Sequence, residues 1–207
     1  NALTSADKST NSLIYDGLLT MASNSSLSSY VVTQATGTAG TGTPLNSNGA
    51  GGITEIDQVL KHMWDAYRLS PDTIWVSSQE QKNISAKILA GSTTQAQRFV
   101  FTADQTKIAG GTMVTSYRNP YSMNGAIEMP IKLHPNLLPG TILFTLNELP
   151  YPLSNVTSVF EKRCRQDYFQ INWPVTTRTR YFGVYFDGVL QHYAPFTLAI
   201  ITNIGNG

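Results

Sequence analysis

The fold is decided by residues 54–91, which read TEIDQVLKHMWDAYRLSPDTIWVSSQEQKNISAKILAG. The first part of this stretch carries apolar side chains at three- and four-residue spacing, the period of one helix face. These side chains are Ile56, Val59, Leu60, Met63, Trp64 and Tyr67. Thr54, followed three residues later by Asp57, resembles a capping box that begins the helix, and Pro71 prevents its continuation. The pattern predicts a helix over residues 56–67.

The second part of the stretch predicts a strand and another helix. Residues 73–77 read TIWVS, a short apolar run that is typical of a buried strand. Ser77 and Glu80 repeat the capping-box spacing and predict a helix that runs through Ile88 and ends at Gly91. Residues 54–91 are therefore predicted to form a compact helix–strand–helix unit.

The remainder of the chain is predicted to be rich in strands. Residues 30–32 read YVV and indicate a short strand, whereas residues 37–52 have the Gly, Ser, Thr and Asn content of a flexible surface loop. Beyond residue 98, apolar runs are separated by turn signals such as Asn124-Gly125. The candidate strands are 98–102, 112–118, 126–133, 141–147, 156–172, 179–191 and 196–203. The run at 156–172 alternates irregularly, which indicates a long, bent or bulged pair of strands.

The chain carries few charges for its 207 residues. Lys and Arg number 14 and Asp and Glu number 13, so that the net charge is only +1. This balance argues against a general nucleic-acid-binding protein. The 41% of hydrophobic residues is enough for a substantial core and excludes wholesale disorder. The remaining surface, polar and weakly charged, indicates a protein that works in contact with other chains.

Compartment and processing are indicated only weakly. The single cysteine, Cys164, excludes an intramolecular disulfide and favours a reducing compartment or an internal position in an assembly. No apolar run approaches the roughly 20 residues that cross a bilayer, so we expect no membrane partner. The chain begins at Asn1 without an initiator Met or a signal-peptide pattern, and we expect a processed or trimmed product.

No residue pattern indicates a catalytic, cofactor or metal site. His62, His134 and His192 are far apart and lack metal-ligand spacing, and His62 is expected to face solvent on its helix. Residues 37–42 read GTAGTG but lack the GK[ST] ending of a phosphate-binding loop. No GxSxG turn occurs, and the carboxylates are scattered. We therefore expect no enzyme, no metal and no cofactor.

One group of basic residues is concentrated within nineteen positions, opposed there only by Asp167. The group consists of Lys162, Arg163, Arg165, Arg178 and Arg180. Arginine side chains bind carboxylates across an interface, or phosphates. We therefore take these five residues as a candidate subunit interface. A solvated strand face and a nucleic-acid contact remain open as alternatives, the latter disfavoured by the low net charge.

Two parts of the sequence carry a family resemblance. The first is the unit at 54–91, in which a helix ending in an aromatic residue and Arg68 precedes an apolar strand and a second helix. The second contains Arg165-Gln166-Asp167-Tyr168, Trp173-Pro174-Val175-Thr176-Thr177, Gly183-Val184-Tyr185, Leu190 and Pro195. Together they resemble the major capsid proteins of tailed bacteriophages, whose shell fold is shared with encapsulins and the herpesvirus capsid floor. The resemblance covers roughly residues 12–204.

The resemblance implies an α+β subunit with two lobes. Residues 16–153 would form an axial-type lobe, with the helix–strand–helix unit and a mixed sheet, at the centre of pentamers and hexamers. Residues 154–192 would supply the long antiparallel strands of a peripheral-type lobe, and residues 193–207 the closing strand and tail. Residues 1–15 would be the end of the spine helix or a linker. The family's N-terminal arm and extended hairpin loop have no counterpart here, so we expect an N-terminally truncated subunit.

The function implied is that of a structural subunit of a phage or prophage capsid. It would assemble in the bacterial cytoplasm, reside in the virion capsid and have copies of itself as partners. Packaged double-stranded DNA would be contacted only weakly and without specificity. Five aromatic residues would mostly build a rigid core: Trp64, Trp75, Trp173, Tyr168 and Tyr185. No Lys–Asn pair for covalent crosslinking is indicated.

Two other functions remain open. A strand-rich glycan- or protein-binding domain of a phage tail or adhesin fits the second half of the chain, but the helix–strand–helix unit disfavours a plain sandwich. A hydrolase is disfavoured because no nucleophile, base or metal set converges in the sequence.

Overall fold

The computed structural model describes residues 7–24, 26, 30–33, 42–49, 51–89, 113–123, 125–150, 158–175 and 177–205. The helices are α1 (Leu18–Ser23), α2 (Thr54–Tyr67) and α3 (Ser78–Leu89), and a short 3-10 turn spans Pro195–Thr197. The first strands are β1 (Tyr30–Thr33), β2 (Thr73–Val76), β3 (Ser116–Asn119) and β4 (Ile127–Leu133). They are followed by β5 (Ile142–Thr145), β6 (Phe160–Asn172), β7 (Phe182–His192) and β8 (Ala199–Thr202).

Six of the strands form one mixed sheet in the order β1-β8-β5-β2-β4-β3. The pairs β1/β8 and β2/β4 are parallel, and the other neighbours are antiparallel. Strands β6 and β7 form a separate antiparallel sheet of two strands. The predicted α+β class with a mixed sheet is confirmed, whereas the division into axial and peripheral lobes stays a prediction.

One face of the six-stranded sheet is covered by α2 and α3 and forms the main core. Four of the six periodic residues of α2, Ile56, Val59, Leu60 and Met63, lie there fully buried, whereas Trp64 is half-buried and Tyr67 is exposed. The helix ends at Arg68, whose left-handed backbone (φ 56°) lets its N–H reach the carbonyls of the last turn. The predicted unit of helix, strand and helix is thus confirmed in its elements.

The predicted helix caps are only partly right. Helix α2 begins at Thr54 itself, and Ile53 at the cap position makes no side-chain hydrogen bond, so the Thr54 cap was wrong. At α3, Ser77 Oγ accepts the Glu80 N–H at 3.3 Å, as predicted. The buried Glu80 carboxylate does not return this bond but accepts the Gly140 N–H at 3.0 Å. The capping signal therefore located the helix, while Glu80 serves to hold the turn before β5.

The opposite face of the sheet carries a second, smaller core. Leu143 and Ile200 pack there against Leu18 and Leu19 of α1. The sequence did not predict α1, which has only six residues and no side-chain cap at Gly17. Its formation depends on packing against β8 rather than on local signals.

Two further predictions need correction. In the predicted surface loop, Leu45 is 1% exposed and belongs to the main core. Asn46 is held by Glu55, whose carboxylate accepts its backbone N–H at 3.0 Å and its side-chain N–H at 2.8 Å. Within the predicted run at 156–172, the described residues form one strand, β6 (Phe160–Asn172), rather than two, and residues 156 and 157 lie outside the described residues. Residues 37–41 and 50, the strand at 98–102 and the helix end at Gly91 lie outside the described residues.

Candidate functional site

The β6–β7 hairpin, called here the arm (residues 160–192), differs from the rest of the molecule in its exposure. No described residue of either strand is buried. Strand β6 has 13 residues, which corresponds to about 40 Å of extended chain. A two-stranded hairpin on its own is marginally stable in water. The arm is therefore a long ribbon that the described part of the chain supports at one end.

The supported end of the arm is built on Phe160 and His192. Their rings stack with centroids 4.5 Å apart, and Phe160 and Leu190 pack against the second core. Nε2 of His192 lies 3.1 Å from Oγ1 of Thr197, whose hydroxyl donates to the Ala194 carbonyl at 2.8 Å. Burial lowers the pKa of His192 to about 4, so that its ring is neutral at physiological pH.

The pairing of the arm is interrupted in its middle. The two strands pair from Phe160, opposite His192, to Asn172, opposite Phe182. The register shifts twice within this ladder, first between Cys164 and Gln166 and then between Gln166 and Phe169. Irregularities of this kind bend and twist a ribbon. They account for the patchy alternation of the sequence, which predicted bulging correctly.

The end of the arm far from the sheet exposes large apolar side chains on both faces. Because residues opposite each other in a ladder share a face, Phe169 and Tyr185 lie on one side. Val184 and Phe182 lie on the other side. The most exposed of these side chains are Tyr168 (68%), Phe182 (65%), Val175 (61%), Val184 (61%), Tyr181 (59%) and Trp173 (49%). This density of aromatic groups on a free ribbon is typical of a surface that is covered by a partner.

The prediction that five aromatic residues would mostly build the core was therefore wrong. Tyr168, Trp173 and Tyr185 are exposed on the arm, and Trp64 and Trp75 are half-buried. The physical reason is that a two-stranded ribbon without a covering layer has no buried face.

The structure divides the five predicted basic residues into two sets. All five are exposed. Lys162, Arg163 and Arg165 lie on β6, whereas Arg178 and Arg180 lie in the connection between β6 and β7. The assignment of these residues to a subunit interface stays a prediction, but the two sets have different surroundings.

The three residues on β6 have partners within the chain. Lys162 Nζ lies 4.3 Å from the centroid of the Phe186 ring, which itself lies over Gly188. Arg163 donates to Glu161 at 3.1 Å and to the Tyr193 hydroxyl at 2.8 Å.

Arg165 forms an ion pair with Asp187. The hydrogen bond from Tyr193, together with the charge of Arg163, lowers the pKa of Glu161. These contacts stabilise the ribbon itself.

The two residues in the connection have no ion pair within the described part of the chain. We call residues 168–186 the outer arm, and they contain Arg178 and Arg180 but no Asp or Glu. The rest of the arm carries three basic and three acidic residues. The free positive charge of the arm therefore lies among its exposed aromatic groups.

The histidines are not brought together. His62, expected to face solvent, stacks on Tyr30 with ring centroids 4.1 Å apart and is half-buried, so it faces solvent only in part. Nδ1 of His134 accepts the Asn136 N–H at 3.2 Å. Within the described ranges no group of three or more His, Cys, Asp or Glu residues is placed to hold a metal ion. No helix among them is long and apolar enough to cross a membrane.

Sequence reasoning found the basic residues of the arm but missed its exposed aromatic groups. The signal that could have revealed them is the absence of strict alternation in both strands. A strand with one buried face alternates apolar and polar residues, whereas Tyr181-Phe182 and Tyr185-Phe186 place apolar side chains on both faces.

Comparisons with known proteins gave only distant structural likenesses. No protein-family model matches the chain, and no curated protein matches it. The SrpI encapsulin of Synechococcus elongatus, solved as a holo complex, shares 14% identity at a TM-score of 0.40, over 92% of this chain and 57% of its own. A phage-related protein of Bordetella bronchiseptica shares 12% identity at a TM-score of 0.38, over 86% of this chain and 56% of its own.

The chain thus spans less than two thirds of the length of either neighbour. TM-scores this low carry no argument about fold or function. The functional interpretation therefore depends on the residues of the chain itself.

Proposed function

We propose that this chain is a structural subunit that assembles with copies of itself, and that the assembly is a capsid shell of a phage or prophage. The single observation that carries the self-assembly is the arm, which exposes aromatic groups on both faces and is not covered by any of the described residues. The capsid identity depends on the resemblance of the helix–strand–helix unit and of residues 165–195 to the major capsid proteins.

The composition of the outer arm fits an interface better than a solvated surface. Interface centres are enriched in Tyr, Trp, Phe and Arg and depleted in Lys, Glu and Asp. The outer arm holds Trp173, Tyr181, Phe182 and two arginines without a carboxylate. Burial of such side chains against another chain would supply the stabilisation that a lone ribbon lacks.

The proposed role is mechanical rather than catalytic. Many weak contacts, multiplied by symmetry, are sufficient to close a shell. With a net charge of +1, the subunit would contact packaged DNA weakly and without specificity. Assembly would take place in the bacterial cytoplasm, and the assembled subunit would reside in the virion.

Sedimentation velocity over a wide range of concentrations tests the self-association. We expect multiples of the 22.6 kDa chain as the concentration rises, and negative-stain images of the complete gene product should show rings or closed shells. A protein that remains monomeric up to millimolar concentration would contradict the proposal.

A variant with a shortened arm supplies the matched control. Replacement of residues 167–186 by an Asn-Gly turn keeps the ion pair of Arg165 with Asp187 and the supported end of the arm. We expect a folded protein, verified by its near-ultraviolet circular dichroism, that no longer associates. Association equal to that of the wild type would show that the arm is not the interface.

A glycan-binding domain is the second candidate, because exposed Trp173 and Tyr181 are suited to stack on sugar rings. A monomer that binds immobilised glycans, and loses this binding in Trp173→Ala, would favour this candidate over self-assembly.

A further inference from the structure

The two strands of the arm differ in regularity. At the first register shift, from Cys164 to Gln166, β6 advances two residues while β7 advances one, from Gly188 to Asp187. At the second shift β6 advances three residues, to Phe169, while β7 advances two. Both extra residues therefore lie in β6, which has 13 residues against 11 in β7. Strand β6 is bulged twice, whereas β7 is regular.

The outer edges of the arm have no strand neighbour among the described residues, because β6 and β7 pair only with each other. A free strand edge is a template for a further strand unless bulges, charges or proline protect it. The edge of β6 is protected by its two bulges and by five charged side chains within residues 161–167. Strand β7 has no bulge, no proline and a single charge, that of Asp187, which is paired with Arg165. The edge of β7 is therefore open to pairing.

The strand that fits this edge best is a second β7. The other edge strands that the structure describes are less suited, since β1 and β3 have four residues each and β6 is bulged. A second β7 matches the first over 11 residues, about 36 Å of extended chain. The even-numbered residues of β7 share one face, which is apolar at Phe182, Val184, Phe186 and Leu190. Two paired copies would form a sheet of four strands, which has the strand number for stability that the two-stranded arm lacks.

From these observations we infer that two copies pair edge to edge through β7, antiparallel across a two-fold axis, in the strand order β6-β7-β7-β6. The inference rests on the self-assembly proposed above and specifies one of its contacts. The contact is isologous and ends in a pair, which other contacts would join into a larger assembly. The antiparallel direction places Arg178 and Arg180 of the two copies at opposite ends of the sheet. Their like charges are thereby kept farther apart than the Debye length of about 8–10 Å.

Cysteine crosslinking tests this pairing at single residues. In the background Cys164→Ser, one cysteine at a time is placed along residues 182–189 of β7 and, as the matched control, along residues 164–171 of β6. A two-fold axis brings one residue of β7 opposite its own copy, within the roughly 7 Å between Cα atoms that a disulfide allows. A residue two positions along the strand lies about 14 Å from its copy and should not crosslink.

The covalent pair is measured by non-reducing electrophoresis after oxidation, at a concentration at which sedimentation velocity shows association. We expect a maximum at one residue of β7, or at two consecutive residues, about fivefold above the other positions. We expect no maximum on β6, and the exposed native Cys164 of the wild type should form no covalent pair. A profile without a maximum on β7, or with its maximum on β6, overturns the inference but leaves self-assembly intact.

Hydrogen exchange at single amides distinguishes pairing at an edge from contact between faces. On association every second amide of β7, the set that points away from β6, should become protected, while the amides on the outer edge of β6 still exchange rapidly. Equal protection of both outer edges overturns the inference, because it indicates arms stacked face to face. Failure of self-assembly has a different signature, since the wild type would then remain monomeric in sedimentation velocity and no variant would crosslink.

Discussion

Strands β5 and β6 show how differently two parts of this chain are stabilised. All four residues of β5 are buried, and the strand lies between β8 and β2 near the middle of the six-stranded sheet. None of the 13 residues of β6 is buried, and the strand has a single neighbour. The first strand is buried between two neighbours, whereas the second, more than three times as long, pairs along its length with β7 alone and buries none of its residues.

This difference separates the part of the chain that stabilises the fold from the part that we propose to bind other copies. The chain outside residues 160–192, called here the body, has two cores among its described residues, one on each face of its sheet. The arm adds exposed aromatic surface and few buried contacts to this unit. A mutation in the body should therefore change the free energy of unfolding, while a mutation in the outer arm should change association.

The largest effect is expected at Phe144 in β5. Its ring is fully buried in the main core, and Phe144→Ala leaves a cavity that lowers the free energy of unfolding by about 3–5 kcal/mol. Urea denaturation followed by circular dichroism measures this loss. A loss below about 1 kcal/mol would contradict the assignment of β5 to a tightly packed core.

The same substitution in the outer arm is the matched control. Phe182 is 65% exposed, so Phe182→Ala should change the free energy of unfolding by no more than about 0.5 kcal/mol. Its effect should appear in the concentration dependence of sedimentation instead. A large loss of stability in the monomer would remove the distinction between the two regions.

A smaller effect is expected at Tyr117, which joins β3 to the start of α2. Its hydroxyl donates to Asp57 Oδ1 at 2.6 Å and accepts the Ile53 N–H at 2.8 Å. Burial raises the pKa of this phenol, which therefore stays protonated. Tyr117→Phe leaves a buried donor and a carboxylate oxygen without this partner and should lower the free energy of unfolding by about 1–3 kcal/mol. Unchanged stability would show that the contact does not contribute.

The parts of the fold that could be predicted are those with local signals. The helical spacing of apolar residues in α2 and the apolar runs of β2 and β5 can be recognised within short stretches of sequence. Helix α1 could not be predicted, because it is short and depends on β8, which follows it by more than 170 residues. The partners of Glu80 and Asp57 were also out of reach, since Gly140 and Tyr117 lie 60 residues away in each case.

The candidate site was predicted only in part, for a related reason. The basic residues of the arm are concentrated in sequence and were found. The ion pairing of these basic residues depends on the register of β6 with β7, since this register brings Asp187 to Arg165. The register is shifted by irregularities that the composition of the sequence does not reveal. The exposure of Tyr168 and Trp173 depends on tertiary packing, since none of the described residues forms a layer over the arm, and composition does not reveal this.

The pH dependence at the supported end of the arm should follow His192. Its pKa falls from 6.5 in the unfolded chain to about 4 when folded, so the folded state binds fewer protons. The stability contributed by the neutral ring is present above pH 6.5 and is lost as the pH falls toward about 4. Thermal unfolding at several pH values should show a smaller acid destabilisation in His192→Gln than in the wild type. An equal acid destabilisation in both proteins would show that His192 does not titrate as described.

The smallest effect is expected at Glu80, which lies outside the arm. The pH dependence of its contribution to stability is opposite to that of His192. Burial raises the pKa of this carboxyl above its ordinary value of 4.5, so the folded state binds more protons. Its favourable contribution is complete below pH 4.5 and is lost as the pH rises through the raised pKa. Glu80→Gln retains an acceptor for the Gly140 N–H and should be at least as stable as the wild type at pH 7. A clear loss of stability at neutral pH would mean that the ionised carboxylate is needed.

Hydrogen exchange read by mass spectrometry, on dilute and on concentrated protein, tests the central claim most directly. In the dilute monomer we expect peptides from β5 and β8 to exchange slowly and peptides from residues 168–186 to exchange rapidly. On association the outer arm should become protected, while β5 and β8 remain unchanged. Protection of the outer arm in the monomer equal to that of β5, or no gain of protection in the associated protein, would contradict the account.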